Sequence, residues 1–288
     1  MTTKYILIGG GVVLPYMETG DPEGKPVIFL HGVTDSHRSY ELVFPHLSPA
    51  LRAIALTQRG HGDAPRLEGP YTPTALSDDV NAFMDAMGID AAYIVGHSMG
   101  SFAAQRFAID HPQRVLGLVL VSSMATCRDK ADIEAFVRDA VDPLTDPIPA
   151  QFAEEFQMST IAKGVPAEFF RMVVAESLKV PARIWKACMN AMLEADHTPE
   201  LNKINAETLI IWGDKDAYFD LAEQEKLEAL IPNSRRVTYE GCGHAPTWEE
   251  PERVAADVLK FVAELESTRA DRAVTELSAV RNLTGQAA

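Results

Sequence analysis

The chain has 288 residues, 47% of them hydrophobic, enough for one large globular domain or one domain carrying a sizeable insertion. Twenty-six basic residues stand against 41 acidic ones, a formal charge of -15 that no basic cluster offsets, which sets nucleic acid and anionic membranes aside as partners. No window approaches eighteen unbroken apolar residues, and the N-terminus lacks the charged-then-apolar layout of a signal peptide. Cys127, Cys188 and Cys242 are odd in number and widely spaced, which argues against a disulfide framework or a zinc ribbon. The expectation is a reduced, cytoplasmic protein.

In chain order, residues 4–8 and 12–17 read as a hairpin turning through Gly9, Gly10 and Gly11. After a turn-rich break comes Pro26-Val-Ile-Phe-Leu30, a continuous apolar run of the kind shown by a strand buried on both faces. It leads directly into His31-Gly32-Val33-Thr34. Residues 39–47 have helical spacing, and 52–56 form another short strand ending in Thr57-Gln-Arg-Gly-His-Gly62. An amphipathic helix over 74–87 carries Leu76, Val80, Phe83, Met84 and Met87 on one face. A strand over 92–96, a helix over 101–109 and a buried strand over 115–121 follow. Strands alternating with helices through short connections imply a mainly parallel sheet covered on both faces.

From residue 124 to about 205 the alternation stops, and the chain reads as helices broken by prolines at 143, 147, 149, 166, 181 and 199. This segment reads as a helical cap over the strand ends, rich in Met and Phe, with a minority of its apolar residues lining an adaptable pocket. The sheet resumes over 208–212, then come a helix over 221–230, a last strand over 235–239 and a closing helix over 252–265. The division expected is a core of 1–123 and 206–266, a cap of 124–205 and a C-terminal extension of 267–288. In that extension Val274, Leu277 and Val280 keep helical spacing, as a peripheral helix with a loose tail.

Gly96-His97-Ser98-Met99-Gly100 fits the pattern G-x-S-x-G between a strand and a helix, a turn that presents a strained serine above a sheet. A serine hydroxyl is a weak nucleophile until a base takes its proton and an acid orients that base. Ser98 supplies the nucleophile and His244, in the loop after the last strand, supplies the base. The acid comes from the loop after Trp212, where Asp214 and Asp216 both stand. The backbone N–H groups of Met99 and Val33 would form the oxyanion hole. His31, His61 and His97 read as loop-structuring residues, and no metal cluster or phosphate loop is apparent, so no cofactor is expected.

Taken together, His31-Gly32, Arg59-Gly60-His61-Gly62, Gly96 to Gly100, Gly213-Asp-Lys-Asp216 and Gly243-His244 resemble the α/β-hydrolases, in particular their esterase, enol-lactonase and cofactor-free haloperoxidase branch. The resemblance covers 26–123 and 208–262, and the cap is too variable between families to match. It implies a mostly parallel eight-stranded sheet with the cap inserted after strand 6, and its G-x-x-D pattern selects Asp216 as the acid. It departs from the family at Thr57, where an aspartate is common, and at Asp63, where a serine is common, which implies a retuned loop. Thr34, His97, Met124, Trp185, Met189 and Phe219 are the candidates for contact with substrate. The activity implied is hydrolysis of a small-to-medium apolar ester or lactone through an acyl-enzyme. The rivals are C–C bond hydrolysis with the same residues, peracid formation with peroxide as acceptor, and, outside catalysis, a small-ligand receptor on the same fold.

Overall fold

Strand formation follows the apolar runs. The computed structural model describes residues 2–128 and 130–285, with side chains as far as Asp271. Strands β1 (Lys4–Ile8), β2 (Val12–Gly20), β3 (Lys25–Leu30), β4 (Leu51–Leu56), β5 (Ala92–His97), β6 (Val115–Val121), β7 (Thr208–Gly213) and β8 (Ser234–Tyr239) form one sheet in the order β1-β2-β4-β3-β5-β6-β7-β8. β2 runs antiparallel to both β1 and β4, and every pairing from β4 to β8 is parallel. The period-2 side-chain alternation splits each central strand between two cores. Ile28, Leu30, Ile94, Leu118 and Leu120 face one core, with Leu76 and Val80 of α1 (Pro73–Ala86) and Phe102 and Phe107 of α2 (Met99–Asp110). Val27, Phe29, Val95, Val119 and Val121 face the other, which the closing helix covers with Val254, Val258 and Phe261. This is why these runs lack polar residues: both faces are buried.

Between β6 and β7 the described residues form helices α3 (Ala131–Phe136), α4 (Ala150–Ser159), α5 (Ala167–Leu178) and α6 (Ala182–Glu194). A bridge between Thr126 and Asp196 ties the two ends of this segment together. Pro149, Pro166 and Pro181 stand immediately before α4, α5 and α6, so these prolines start helices, where their missing N–H is no loss. The segment over 39–47 is not the continuous helix its spacing suggests. It forms two 3-10 turns, His37–Tyr40 and Phe44–His46, because Pro45 cannot donate the N–H that a helix across it requires.

After β7, α7 (Leu221–Leu230) leads to β8, then the short α8 (Pro246–Glu249) and α9 (Pro251–Gly285) follow. α9 continues into the expected extension as far as Gly285. Arg269 anchors it by donating to the Tyr93 hydroxyl at 2.6 Å and to Glu266 at 2.8 Å. The side chains of Val274, Leu277 and Val280, and residues 286–288, lie outside the described residues. Among the described residues no helix is long and apolar enough to cross a membrane. The three cysteines are buried free thiols.

Candidate active site

The backbone at the β5–α2 turn dictates its own sequence. Ser98 has φ 51° and ψ -118°, a conformation that costs a non-glycine residue of order 1–3 kcal/mol. Its neighbours are packed too tightly for a side chain. A Cβ on Gly96 would lie 2.4 Å from the Gly100 carbonyl oxygen, and one on Gly100 would lie 2.2 Å from the Leu30 carbonyl oxygen. The Ser98 N–H donates to the Val121 carbonyl at 3.0 Å and the Ser101 hydroxyl donates to the Ser98 carbonyl at 2.6 Å, which hold the turn. α2 starts at Met99, so its positive end faces the serine.

The loop after β7 brings Asp216 under His244. Both Asp216 carboxylate oxygens lie in hydrogen-bond range of His244 Nδ1, at 3.0 and 2.9 Å. Asp216 Oδ1 also accepts the N–H groups of Tyr218 and Phe219 at 2.9 and 3.2 Å, and the carboxylate is fully shielded from solvent. These bonds fix the imidazole orientation with its proton on Nδ1. Asp214 does not compete: it accepts from the Gly241 N–H at 2.6 Å in a separate turn. The rings of Tyr218 and Phe219 stand edge-on to His244, with centroids 4.9 and 5.1 Å away.

Ser98, His244 and Asp216 line one cavity of about 460 Å³. No hydrogen bond joins the Ser98 hydroxyl to His244 Nε2 among the described residues, a looseness common in unliganded sites. Gly32 and Val33 line the same cavity, and neither the Val33 nor the Met99 N–H has a protein partner among the described residues. The loop beneath them is braced by His31. Its Nε2 accepts the Gln58 N–H at 3.0 Å and its Nδ1 donates to the Gly32 carbonyl at 2.7 Å. Burial holds this ring well below the usual histidine range, neutral and suited to this bracing. The Thr57 hydroxyl and His37 Nδ1 lie 2.6 Å apart, and Asp63 pairs with Lys179 of the helical segment at 3.0 Å, so both departures from the family pattern make local contacts.

The remaining wall is mostly apolar: Met124, Cys127, Ile133, Phe136, Phe156, Met189, Met192, Phe219 and Trp248. Of the expected contact residues, His97, Met124, Met189 and Phe219 are on it. Thr34 and Trp185 are not. Thr34 is buried with φ 67°, and its hydroxyl meets Ser177 of α5 at 3.0 Å. Trp185 is buried one layer behind the wall, its ring 5.0 Å from Phe156 and 5.3 Å from Phe152. His97 Nε2 donates to the His244 carbonyl at 2.8 Å, leaving Nδ1 as an unpartnered acceptor among the described residues, and burial lowers this histidine to about 3. Several polar groups on the wall escaped the sequence reading, and two of them, Asp35 and Gln157, are bonded to each other. Asp35 is buried, with its carboxyl pushed up to about 7 by desolvation, and it accepts from Gln157 Nε2 at 3.0 Å. The one available signal was a carboxylate next to the His31-Gly32 loop. Gln157 carried none.

The family model described as the alpha/beta hydrolase fold matches residues 25–251. A 2-hydroxy-6-oxononadienedioate/2-hydroxy-6-oxononatrienedioate hydrolase of Comamonas testosteroni is 25% identical over 269 residues, 84% of this chain and 88% of that protein. A non-heme chloroperoxidase of Kitasatospora aureofaciens is 27% identical over 271 residues, 88% and 96% of the two chains. Among solved structures, an esterase of Exiguobacterium antarcticum superposes with a TM-score of 0.81 at 22% identity, covering 91% of this chain and all of its own.

Proposed function

This chain belongs to the α/β-hydrolase fold family, and from that premise we propose that it is a serine hydrolase cleaving a small-to-medium apolar carboxylic ester or lactone. The observation that carries this reading is the strained Ser98, which shares a cavity with a histidine bonded through Nδ1 to a buried carboxylate. In the reaction, the Ser98 oxygen attacks the substrate carbonyl while His244 Nε2 takes the hydroxyl proton. Asp216 keeps the imidazole in its productive tautomer and stabilises the imidazolium. The Val33 and Met99 N–H groups receive the oxyanion, and the positive end of α2 adds to that field. Collapse breaks the bond to the leaving oxygen, which takes the proton from His244 Nε2 and leaves an acyl group on Ser98. Water then attacks the acyl carbonyl, giving its proton to His244, and the acid departs as the serine is reprotonated.

The charge around the cavity bears on the substrate. Among the described residues its wall carries Asp132, Asp216 and Asp220, with Asp35 held partly protonated by burial, against one lining cation, Lys130. Lys130 is already paired with Glu223 at 2.6 Å. A dianionic substrate of the kind named for the Comamonas relative would enter a site with no free cation on that wall, whereas a neutral ester meets methionine and phenylalanine. The balance supports ester or lactone over C–C bond cleavage of an anion.

The test is pre-steady-state hydrolysis of p-nitrophenyl esters of graded acyl length by the wild type and by Ser98→Ala. The expected result is a nitrophenolate burst stoichiometric with enzyme, and a loss in kcat of roughly 10⁴-fold or more in the variant. Equal activity in Ser98→Ala would overturn the assignment of the nucleophile. Silence toward all esters, with turnover of a vinylogous diketone, would move the reading to C–C hydrolysis.

A further inference from the structure

Three of the loops that meet at the cavity leave different strands. Val33, Thr34 and Asp35 follow β3, residues 216–219 follow β7, and residues 243–245 follow β8. One short stretch of the helical segment, the end of α4 and the turn after it, is hydrogen-bonded to all three. Toward the first loop, Gln157 Nε2 lies 3.0 Å from Asp35 Oδ1, 3.3 Å from the Thr34 hydroxyl and 2.7 Å from the Ser177 hydroxyl on α5. Toward the second, the Ser159 hydroxyl donates to the Phe156 carbonyl, so it accepts from the Tyr218 hydroxyl at 2.6 Å. Toward the third, the Thr160 carbonyl accepts the N–H of Ala245, the residue after His244, at 3.0 Å. The Glu249 carboxylate closes the same junction, accepting the N–H groups of Ala162, Lys163 and Gly243 at 2.9, 2.6 and 2.8 Å. Contact here is too close for a side chain: a Cβ on Gly243 would sit 2.7 Å from the Ala162 nitrogen.

Thr34 shows what the first of these contacts holds in place. A β-branched residue at φ 67° is strained, and it persists only when its surroundings over-determine it. The surroundings are Ser177 and Gln157, both from the helical segment and both bonded to the Thr34 hydroxyl. If Thr34 relaxed to a negative φ, the Val33–Thr34 peptide would turn and the loop that carries the Val33 N–H, which lines the same cavity as Ser98, would have to shift with it.

We propose that Gln157 is a positioning residue for the oxyanion loop, and that the α4 turn is the element that completes the reactive geometry of all three loops. The cap then does more than shape the pocket: without α4 seated, the serine has no set oxyanion donor on the β3 side. The proposal rests on the serine-hydrolase reading. Ground-state binding relies on the apolar wall, so loss of the Gln157 amide should act on the transition state, where an oxyanion donor acts.

The experiment measures the rate at which a fluorophosphonate labels the full-length wild type, Ser98→Ala, Gln157→Leu and Ser177→Ala, with kcat and KM on the best ester and a melting curve for each. The expected result is fast labelling of the wild type and none of Ser98→Ala. Gln157→Leu should label roughly 10- to 100-fold more slowly and lose kcat in parallel, with KM nearly unchanged, because a misplaced donor costs that much. Ser177→Ala, which removes a small hydroxyl from the same junction, should move the same way by less, and it carries the test alone if Gln157→Leu does not fold. A purely structural role would lower the melting temperature and leave the labelling rate of the folded protein unchanged; that outcome overturns the proposal. Failure of the wild type itself to label, or equal labelling of Ser98→Ala, would remove the hydrolase reading and this proposal with it.

Discussion

Asp35 is the residue whose surroundings conflict most with its chemistry. It is 3% exposed, wedged between Gly32 and Gln157, and burial drives its carboxyl up to about 7 while the Gln157 amide and the charge of His244 pull the other way. In the unfolded chain the same group loses its proton near the ordinary 3.8. The folded state therefore holds a proton that the unfolded state has released, and stability falls as pH rises through that range. This contribution is fully present below about pH 4 and is lost above about pH 7, on the order of 4 kcal/mol across the window. Asp35→Asn should be more stable than the wild type at pH 8 and nearly equal to it at pH 4.5. Urea unfolding at the two pH values checks this, and an equal difference at both would reject it. Asp35 illustrates where sequence stops being informative at this scale. Ser98 is legible because its turn leaves room for glycine alone at positions 96 and 100, so the backbone writes itself into the motif. Asp216 is separated from Asp214 in the sequence by the G-x-x-D pattern alone, since two carboxylates two residues apart in a loop differ only in which one turns under His244, and in the structure it is Asp216 that meets His244 Nδ1. The burial of Asp35 is set by α4 arriving from 120 residues away, and nothing local records it.

At the level of elements, the strands were readable because burial on both faces excludes polar residues, and the apolar runs over 26–30, 92–96, 115–121 and 208–212 all became central strands. The helices between β6 and β7 were readable as helices but not in their facing. Phe136, Phe152, Phe156 and Trp185 form one aromatic cluster: Phe136 stacks on Phe152 and Phe156 at 6.4 and 6.0 Å, and Trp185 closes it from behind. Helical spacing puts each ring on an apolar face, yet on short helices it cannot say whether that face meets another helix or the cavity. The structure divides the cluster, with Phe136 and Phe156 on the cavity wall and Trp185 buried in the support. Two variants should therefore behave oppositely. Trp185→Ala should lose about 3–5 kcal/mol, the usual result of emptying a buried tryptophan site. Phe136→Ala, at a partly exposed position, should cost less stability and lengthen the acyl chain that gives the highest kcat/KM. Melting temperature and a chain-length profile, measured on both, separate the two roles. A shared phenotype would mean that the cluster is one undivided core.

Across the whole molecule, buried histidines set the response to acid. Desolvation lowers His37, His61 and His197 to about 4 and His97 to about 3, and it holds His31 well below its usual value. Each is a neutral ring built into a contact: His197 with Gln105 and the Phe102 ring, His61 edge-on to His31, His37 with Thr57. The unfolded chain protonates these groups near pH 6.5, whereas the folded chain resists until about pH 4. Their stabilisation is thus fully present above 6.5 and is lost as pH falls toward 4. Asp35 acts in the opposite direction over nearly the same window, but it is one group against five. Between pH 4.5 and 6 the unfolded state should bind about four more protons than the folded one, so stability should rise steeply with pH, at about 1.4 kcal/mol per proton for each pH unit. A total stability of roughly 5–15 kcal/mol is exhausted within one to three pH units at that slope. The sequence isoelectric point, near 4.9, falls inside the same interval, so the chain should unfold where it carries little net charge and should precipitate. Urea unfolding as a function of pH gives the proton count directly from the slope. His61→Gln removes one such ring, and it should reduce the slope by about one proton while leaving stability at pH 8 far less affected than stability at pH 5. A wild-type slope near zero, or an unchanged slope in His61→Gln, would mean that these histidines take up their protons without unfolding the chain.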